Sequence, residues 1–221
     1  MPITTDDKNW TWALEKPCLE RGFDASEISF RDIPSLIELN AATRLKRMAQ
    51  PERLAQTDAW ARPDDATWSP LEYAAHVRDG FRIFRARLHL MLDQVAPAFA
   101  NWDQDTTAIA ERYNDQDPAT VAEELLAAAD ALAPDYPAVD DADLGRTDLR
   151  SDGSTFIVES LARYFIHDPV HHLHDVGADG SRWVDPSATE AARSLPTMLG
   201  WSGVWLLARL AFTLQQEWPE G

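Results

Sequence analysis

Along most of this chain, apolar residues return every three or four positions and seldom every two, which is the spacing of amphipathic helices. The first such run predicts a helix over residues 32–48, with Ile33, Leu36, Leu39 and Leu45 on its apolar side. The second begins at "WSPLEY", where Ser69 and Glu72 have the spacing of a capping box and Pro70 takes the first helical position. Trp68 and Tyr73 flank that cap as a hydrophobic staple, and Phe81, Phe84, Leu88 and Leu92 carry the pattern towards Pro97. A third helix follows Asp117-Pro118 and ends at Pro134. The acidic segment 135–153 reads as a loop or short hairpin, and a fourth helix begins near Ser154 and ends at Gly177. The strongly apolar segment 199–218 predicts a final helix.

Four long helices joined by connections of mixed length predict an all-α bundle. Residues 1–31, with turns around Pro17 and Gly22, form an N-terminal extension, and residues 32–221 form the bundle domain, including the additional C-terminal helix. In that last helix, Trp201, Val204, Trp205, Leu207, Leu210 and Leu214 make a stripe expected in a core or dimer interface.

Composition narrows the functional classes. A chain of 221 residues that is 45% hydrophobic and contains nine tryptophans can bury a substantial core. Its net charge of −17 argues against nucleic acid and against an anionic membrane surface, both of which call for concentrated Lys and Arg. The N-terminal "MPITTDDKNWTW" lacks the basic and apolar regions of a signal peptide. A single cysteine, Cys18, excludes an intramolecular disulfide, and the expected location is cytoplasmic. Cys18 reads as an ordinary thiol.

The chemistry is concentrated in "YFIHDPVHHLHDV", which holds His167, His171, His172 and His174, four of the six histidines in the chain. His167 and His171 are four apart, so on a helix they share one face and can converge on a metal ion. His174 follows on that face, whereas His172 points about 100° away and is expected towards solvent. His76, in the inward register of Tyr73 and Phe84, is the best third ligand; His89 lies more than three turns beyond it and outside the site. Such a set suits zinc, nickel or iron(II). The alternative is a group of buried histidines bonded to ordinary neighbours. Pro169, between the paired histidines, is expected to kink the helix, or to break it with Asp168 as a new N-cap.

"WSPLEYAAHVRD", followed about ninety residues later by "HDPVHHLHDV", resembles the DinB-like family, which is related to YfiT-type metalloenzymes. The resemblance spans roughly residues 32–177 and includes the segment "FANWDQDTTAIAERYNDQDPATVAEEL". It implies a four-helix bundle in up-down-down-up order, a divalent metal held by His76, His167 and His171, and often a homodimer. Leu173 and His174 stand where family members commonly have Gly-Gln, and Arg21 stands where "PCLERGF" would complete a Cys-x-x-Cys-Gly turn. Some relatives are thiol-dependent transferases or isomerases, so a low-molecular-weight thiol is an expected co-substrate beside a small-molecule substrate. Hydrolysis by metal-activated water is the other chemistry implied, with Asp168 or His174 orienting a ligand or relaying a proton.

Two rival readings remain. The His167-Asp168 pair, with Asp175 or Asp185 as a further ligand, resembles HD-type phosphohydrolases, although no basic cluster adjoins it; a phosphate held against Arg163 would favour it. A non-catalytic metal or small-ligand binder on the same fold would use the same histidines.

Overall fold

The computed structural model describes residues 10–18, 23–48, 59–150, 153 and 155–175. The chain divides into two compact units, Met1–Val184 and Asp185–Gly221, and every described residue belongs to the first. The expected C-terminal helix and the Gly177 cap lie outside the described residues.

Four long helices build the unit: α1, Ile33–Met48; α2, Pro70–Asp93; α4, Pro118–Leu132; and α5, Val158–Asp175. A fifth, short helix, α3, covers Gln104–Ala110. Helices α1 and α2 each pack against both α4 and α5. The core lies between them, built from Ile33 and Ile37 of α1, Leu71, Phe81 and Met91 of α2, Val121 and Leu125 of α4, and Phe165 and Ile166 of α5. Among the described residues, no helix is long and apolar enough to cross a membrane.

The acidic connection closes on itself by an antiparallel bridge between Thr147 and Ile157, where the Asp148 N–H donates to the Phe156 carbonyl at 3.0 Å. Its strand β2, Leu149–Arg150, pairs in parallel with β1, Ala98–Phe99, which follows α2. Helix α3 was not expected from the sequence, although its cap was there to be read: the Asp103 carboxylate accepts the Thr106 N–H at 2.8 Å.

Helix α2 starts where its sequence places it. The Ser69 hydroxyl accepts the Glu72 N–H at 3.2 Å, and the Glu72 carboxylate accepts the Ser69 N–H at 2.9 Å. Arg62 closes the arrangement, donating from Nε to Glu72 Oε2 at 2.8 Å and from its second terminal nitrogen to Oε1. The Trp68 and Tyr73 rings meet at 5.5 Å, completing the staple. Entry angle and helical phase are thereby fixed before the helix reaches His76.

Helix α1 buries Ile33 and Leu36 as expected but turns a different stripe inward further along. Leu39 and Leu45 are only partly buried, while Asn40 and Arg44 are buried beside Ile37 and Ala41. The reason lies in α5, which runs through Pro169 without a break. Arg44 donates to the Pro169 carbonyl at 2.9 Å and, through Nε, to Asn40 Oδ1 at 2.9 Å. A buried guanidinium stays charged, so these acceptors must be close by. The expected break with Asp168 as an N-cap does not occur.

Two stability predictions follow from these contacts. Burial alone would raise the Glu72 pKa, but the Arg62 guanidinium and the Ser69 N–H overcome it and hold the carboxyl below its ordinary value. A depressed folded-state pKa contributes stability above the unfolded value of about 4.3, and that stability is lost as pH falls through the folded pKa. Glu72→Gln is therefore expected to cost about 1–3 kcal/mol at neutral pH in urea denaturation, with the difference from wild type shrinking below about pH 4. Arg44→Met, which leaves the Pro169 carbonyl without its α1 donor, is expected to cost a similar ~1–3 kcal/mol in the same measurement.

Candidate metal centre

His76 sits two turns into α2 with no exposed surface. Its Nε2–H donates to Asp168 Oδ2 at 2.9 Å, and Asp168 Oδ1 accepts from His172 Nε2 at 3.2 Å. One carboxylate thus joins an imidazole of α2 to an imidazole one turn along its own helix. The donor atoms of His76, Asp168 and His172 all lie within 4.8 Å of one another.

Aromatic rings enclose this group. Trp102 stacks on His76 at 4.9 Å and 9°, and Trp68 meets His76 edge-on at 5.3 Å. Tyr73 lies 4.8 Å from the His172 ring. Trp102 is itself held by α3, where its indole N–H donates to the Thr107 hydroxyl at 2.9 Å. The short helix absent from the sequence reading therefore orients one wall of the centre. Asp168, with its side chain 39% exposed, marks the side open to solvent.

The electrostatics suit a cation. Burial pushes the His76 pKa down, against the pull of Asp168, and so favours the neutral ring that a metal ligand must be. Burial would raise Asp168, but the His76 and His172 imidazoles outweigh it and hold the carboxyl well below the usual range. Metal ligation needs neutral imidazole and ionised carboxylate, so an ion entering here would replace the two N–H···O bonds to Asp168, each ring then carrying its proton on Nδ1. Nδ1 of His76 is buried with no hydrogen-bond partner, a cost of about 1–3 kcal/mol that folded proteins retain mainly at functional sites.

The three residues expected from sequence as one ligand set are divided between two groups. His76 lies with Asp168 and His172, whereas His167 and His171 form a second group with Cys18. His172 is not turned to solvent, because its side chain is only 15% exposed. His89 is indeed remote, paired with Asp135 at 2.6 Å. Arg163, whose proximity to a phosphate would have favoured an HD-type site, donates to the Ile28 carbonyl and to Glu159.

Helical phase explains the division. Asp168 and His172 are also four apart, and they continue the stripe begun by Leu161 and Phe165 at intervals of three and four residues. That stripe is the signal in the sequence that Asp168 and His172 face inward, although it does not say that His76 is what they meet. The His167–His171 pair lies on another face, covered by the N-terminal segment: Trp12 packs on His167 at 5.9 Å and Phe23 at 6.3 Å.

Two histidines and a carboxylate converging from two helices of a bundle make a donor group that could hold a metal ion. More narrowly, residues 43–176 match the model of the DinB superfamily, and the chain belongs to that family. YfiT from Bacillus subtilis, described as a probable metal-dependent hydrolase with an unusual four-helix bundle topology, has a similar structure. It is 17% identical, with a TM-score of 0.55 over 82% of this chain and 95% of YfiT. A mycothiol-dependent maleylpyruvate isomerase is similar at 12% identity and a TM-score of 0.53, over 76% of this chain and 69% of the isomerase. At these identities the likeness establishes the shared fold, that of the YfiT four-helix bundle. No curated protein matches the chain in sequence.

The Trp102 wall has a measurable weight. Trp102→Ala removes a stacked pair worth about 0.5–1.5 kcal/mol beyond its buried area, and a total loss near ~2 kcal/mol is expected in urea denaturation once that area is included.

Proposed function

We propose that this protein is a divalent-metal-dependent enzyme whose ion is held by His76, Asp168 and His172. In this reading His76 keeps the role expected of it, and Asp168 and His172 take the places assigned from sequence to His167 and His171. The observation that carries the proposal is the Asp168 carboxylate set between two imidazoles, one on each oxygen, with His76 fully buried. Two histidines and one carboxylate form a donor set accepted by zinc, nickel and iron(II), and three ligands leave positions for other groups.

A divalent ion in that position supplies a Lewis acid that favours the deprotonated, nucleophilic form of a water or a low-molecular-weight thiol. The residues of the chain supply the rest. Trp102 and Trp68 hold the His76 ring in one orientation and keep water from its buried side. Tyr73 backs the His172 ring in the same way. The open side at Asp168 admits a small-molecule substrate.

Thiol-dependent transfer, the chemistry expected from sequence, has the support of the isomerase likeness, and hydrolysis that of YfiT. Both use the same centre. A bundle holding all its ligand positions closed would instead suit a binding protein, and three donors, one of them a partly exposed carboxylate, favour turnover.

Protein purified without a histidine tag or chelator, then reconstituted with zinc, nickel or iron(II), is expected to lose one equivalent of metal on His172→Ala or Asp168→Ala, with circular dichroism unchanged. Metal content unaffected by either substitution would reject the assignment. Loaded protein is then assayed on electrophilic and ester substrates with and without a thiol. Turnover that requires the thiol identifies a transferase, turnover in water alone a hydrolase, and no turnover with metal bound the non-catalytic reading.

A further inference from the structure

The second group on α5 has its own donor chemistry. Cys18 is 3% exposed and His167 4% exposed, and His171 is half-buried. The Cys18 sulfur is 3.9 Å from His171 Nδ1, and the donor atoms of Cys18, His167 and His171 all lie within 4.8 Å of one another. The two imidazoles stand one turn apart with ring centres 5.6 Å apart and planes within 24°. Cys18 is not on a loose tail: its N–H donates to the Phe23 carbonyl at 2.9 Å, closing an antiparallel bridge. Phe23 and Trp12, on either side of it, both pack on His167.

We propose that Cys18, His167 and His171 form a second metal site, selective for zinc, that fastens the N-terminal segment to α5. Zinc bound tetrahedrally, with Zn–S of about 2.3 Å and Zn–N of about 2.0–2.1 Å, sets sulfur and nitrogen roughly 3.5 Å apart. The observed 3.9 Å is within a few tenths of an ångström of that separation, a rotamer-scale adjustment. On binding, the Cys18 thiol gives up its proton to solvent and its sulfur ligates as thiolate, while both imidazoles ligate as neutral rings.

The two groups differ in kind. Cys-His-His is soft and favours zinc, whereas the His-Asp-His group accepts harder ions such as iron(II). The second site does not depend on the first being catalytic, and its ligands come from residues far apart in sequence. An ion there constrains the N-terminal segment over the face of α5 next to the one that carries the His76 group.

Cobalt(II) tests the proposal on the full chain, because thiolate ligation produces a near-ultraviolet charge-transfer band and Cys18 is the single cysteine. Titrated wild-type protein is expected to develop that band, and His171→Ala to require at least tenfold more cobalt to develop it. His172→Ala, on the neighbouring group, is expected to keep the band while losing the separate visible absorption of the other centre. Zinc is expected to raise the melting temperature of wild type more than that of Cys18→Ser. Absence of the band in folded, cobalt-saturated protein overturns the proposal. So does a band that His171→Ala leaves unchanged, and so does one abolished by His172→Ala, which would place the sulfur in the other centre.

Discussion

The Asp168 carboxylate is the joint between α2 and α5 on which the candidate centre depends. Each of its oxygens is taken by a different imidazole, Oδ2 by His76 and Oδ1 by His172. A carboxylate committed in this way fixes the rotation of α5 about its own axis, because turning the helix by one residue would move Asp168 about 100° out of reach. From that rotation everything else on α5 follows. Phe165 and Ile166 enter the core, His172 meets Tyr73, and His167 and His171 are carried to the face covered by the N-terminal segment.

The polar layer beneath the centre obeys the same constraint. Pro169 lacks the N–H that would continue the helical ladder, yet α5 continues through it. Its carbonyl accepts from Arg44, itself buried and anchored to Asn40. A guanidinium cannot shed its charge, so its burial is tolerable only with acceptors in place. Helix α1 is therefore held to α5 by a specific polar contact next to the proposed ligands, and its buried stripe includes Asn40 and Arg44 instead of Leu39 and Leu45.

Helix α2 contributes from the other side. The capping box, reinforced by Arg62, sets where α2 starts, and a further set of contacts holds α2 to α4 and to the segment leading into it. The Tyr113 hydroxyl donates to Asp79 at 2.7 Å, and Arg78 reaches both Gln116 and Glu124 at 2.8 Å. Burial and the neighbouring Asp79 carboxylate push the Tyr113 pKa upward, so the hydroxyl stays a donor. His76 is thus presented by a helix fixed at its start and along its length, as a preorganised ligand requires.

The amino-acid sequence by itself determined the local structure and the family. Periodicity announced four long helices, three of which are found near their expected bounds and the fourth, α5, starting a few residues late, at Val158. Ser69, Pro70 and Glu72 determined the start of α2 because capping is a contact among neighbours, written within four residues. "WSPLEYAAHVRD" and "HDPVHHLHDV" were enough to place the chain in the DinB superfamily. The Asp103 cap of α3 is equally local, and the helix it starts holds Trp102 in the wall of the centre. Tertiary structure alone decided which of two interleaved i, i+4 pairs on α5 meets His76. Both pairs have ligand-forming residues at identical spacing, so spacing cannot choose between them; the choice rests on the phase of α5 against α2, set by contacts between residues more than ninety positions apart. It also decided that Cys18 lies beside His171, since nothing local to residue 18 encodes a neighbour 153 positions away.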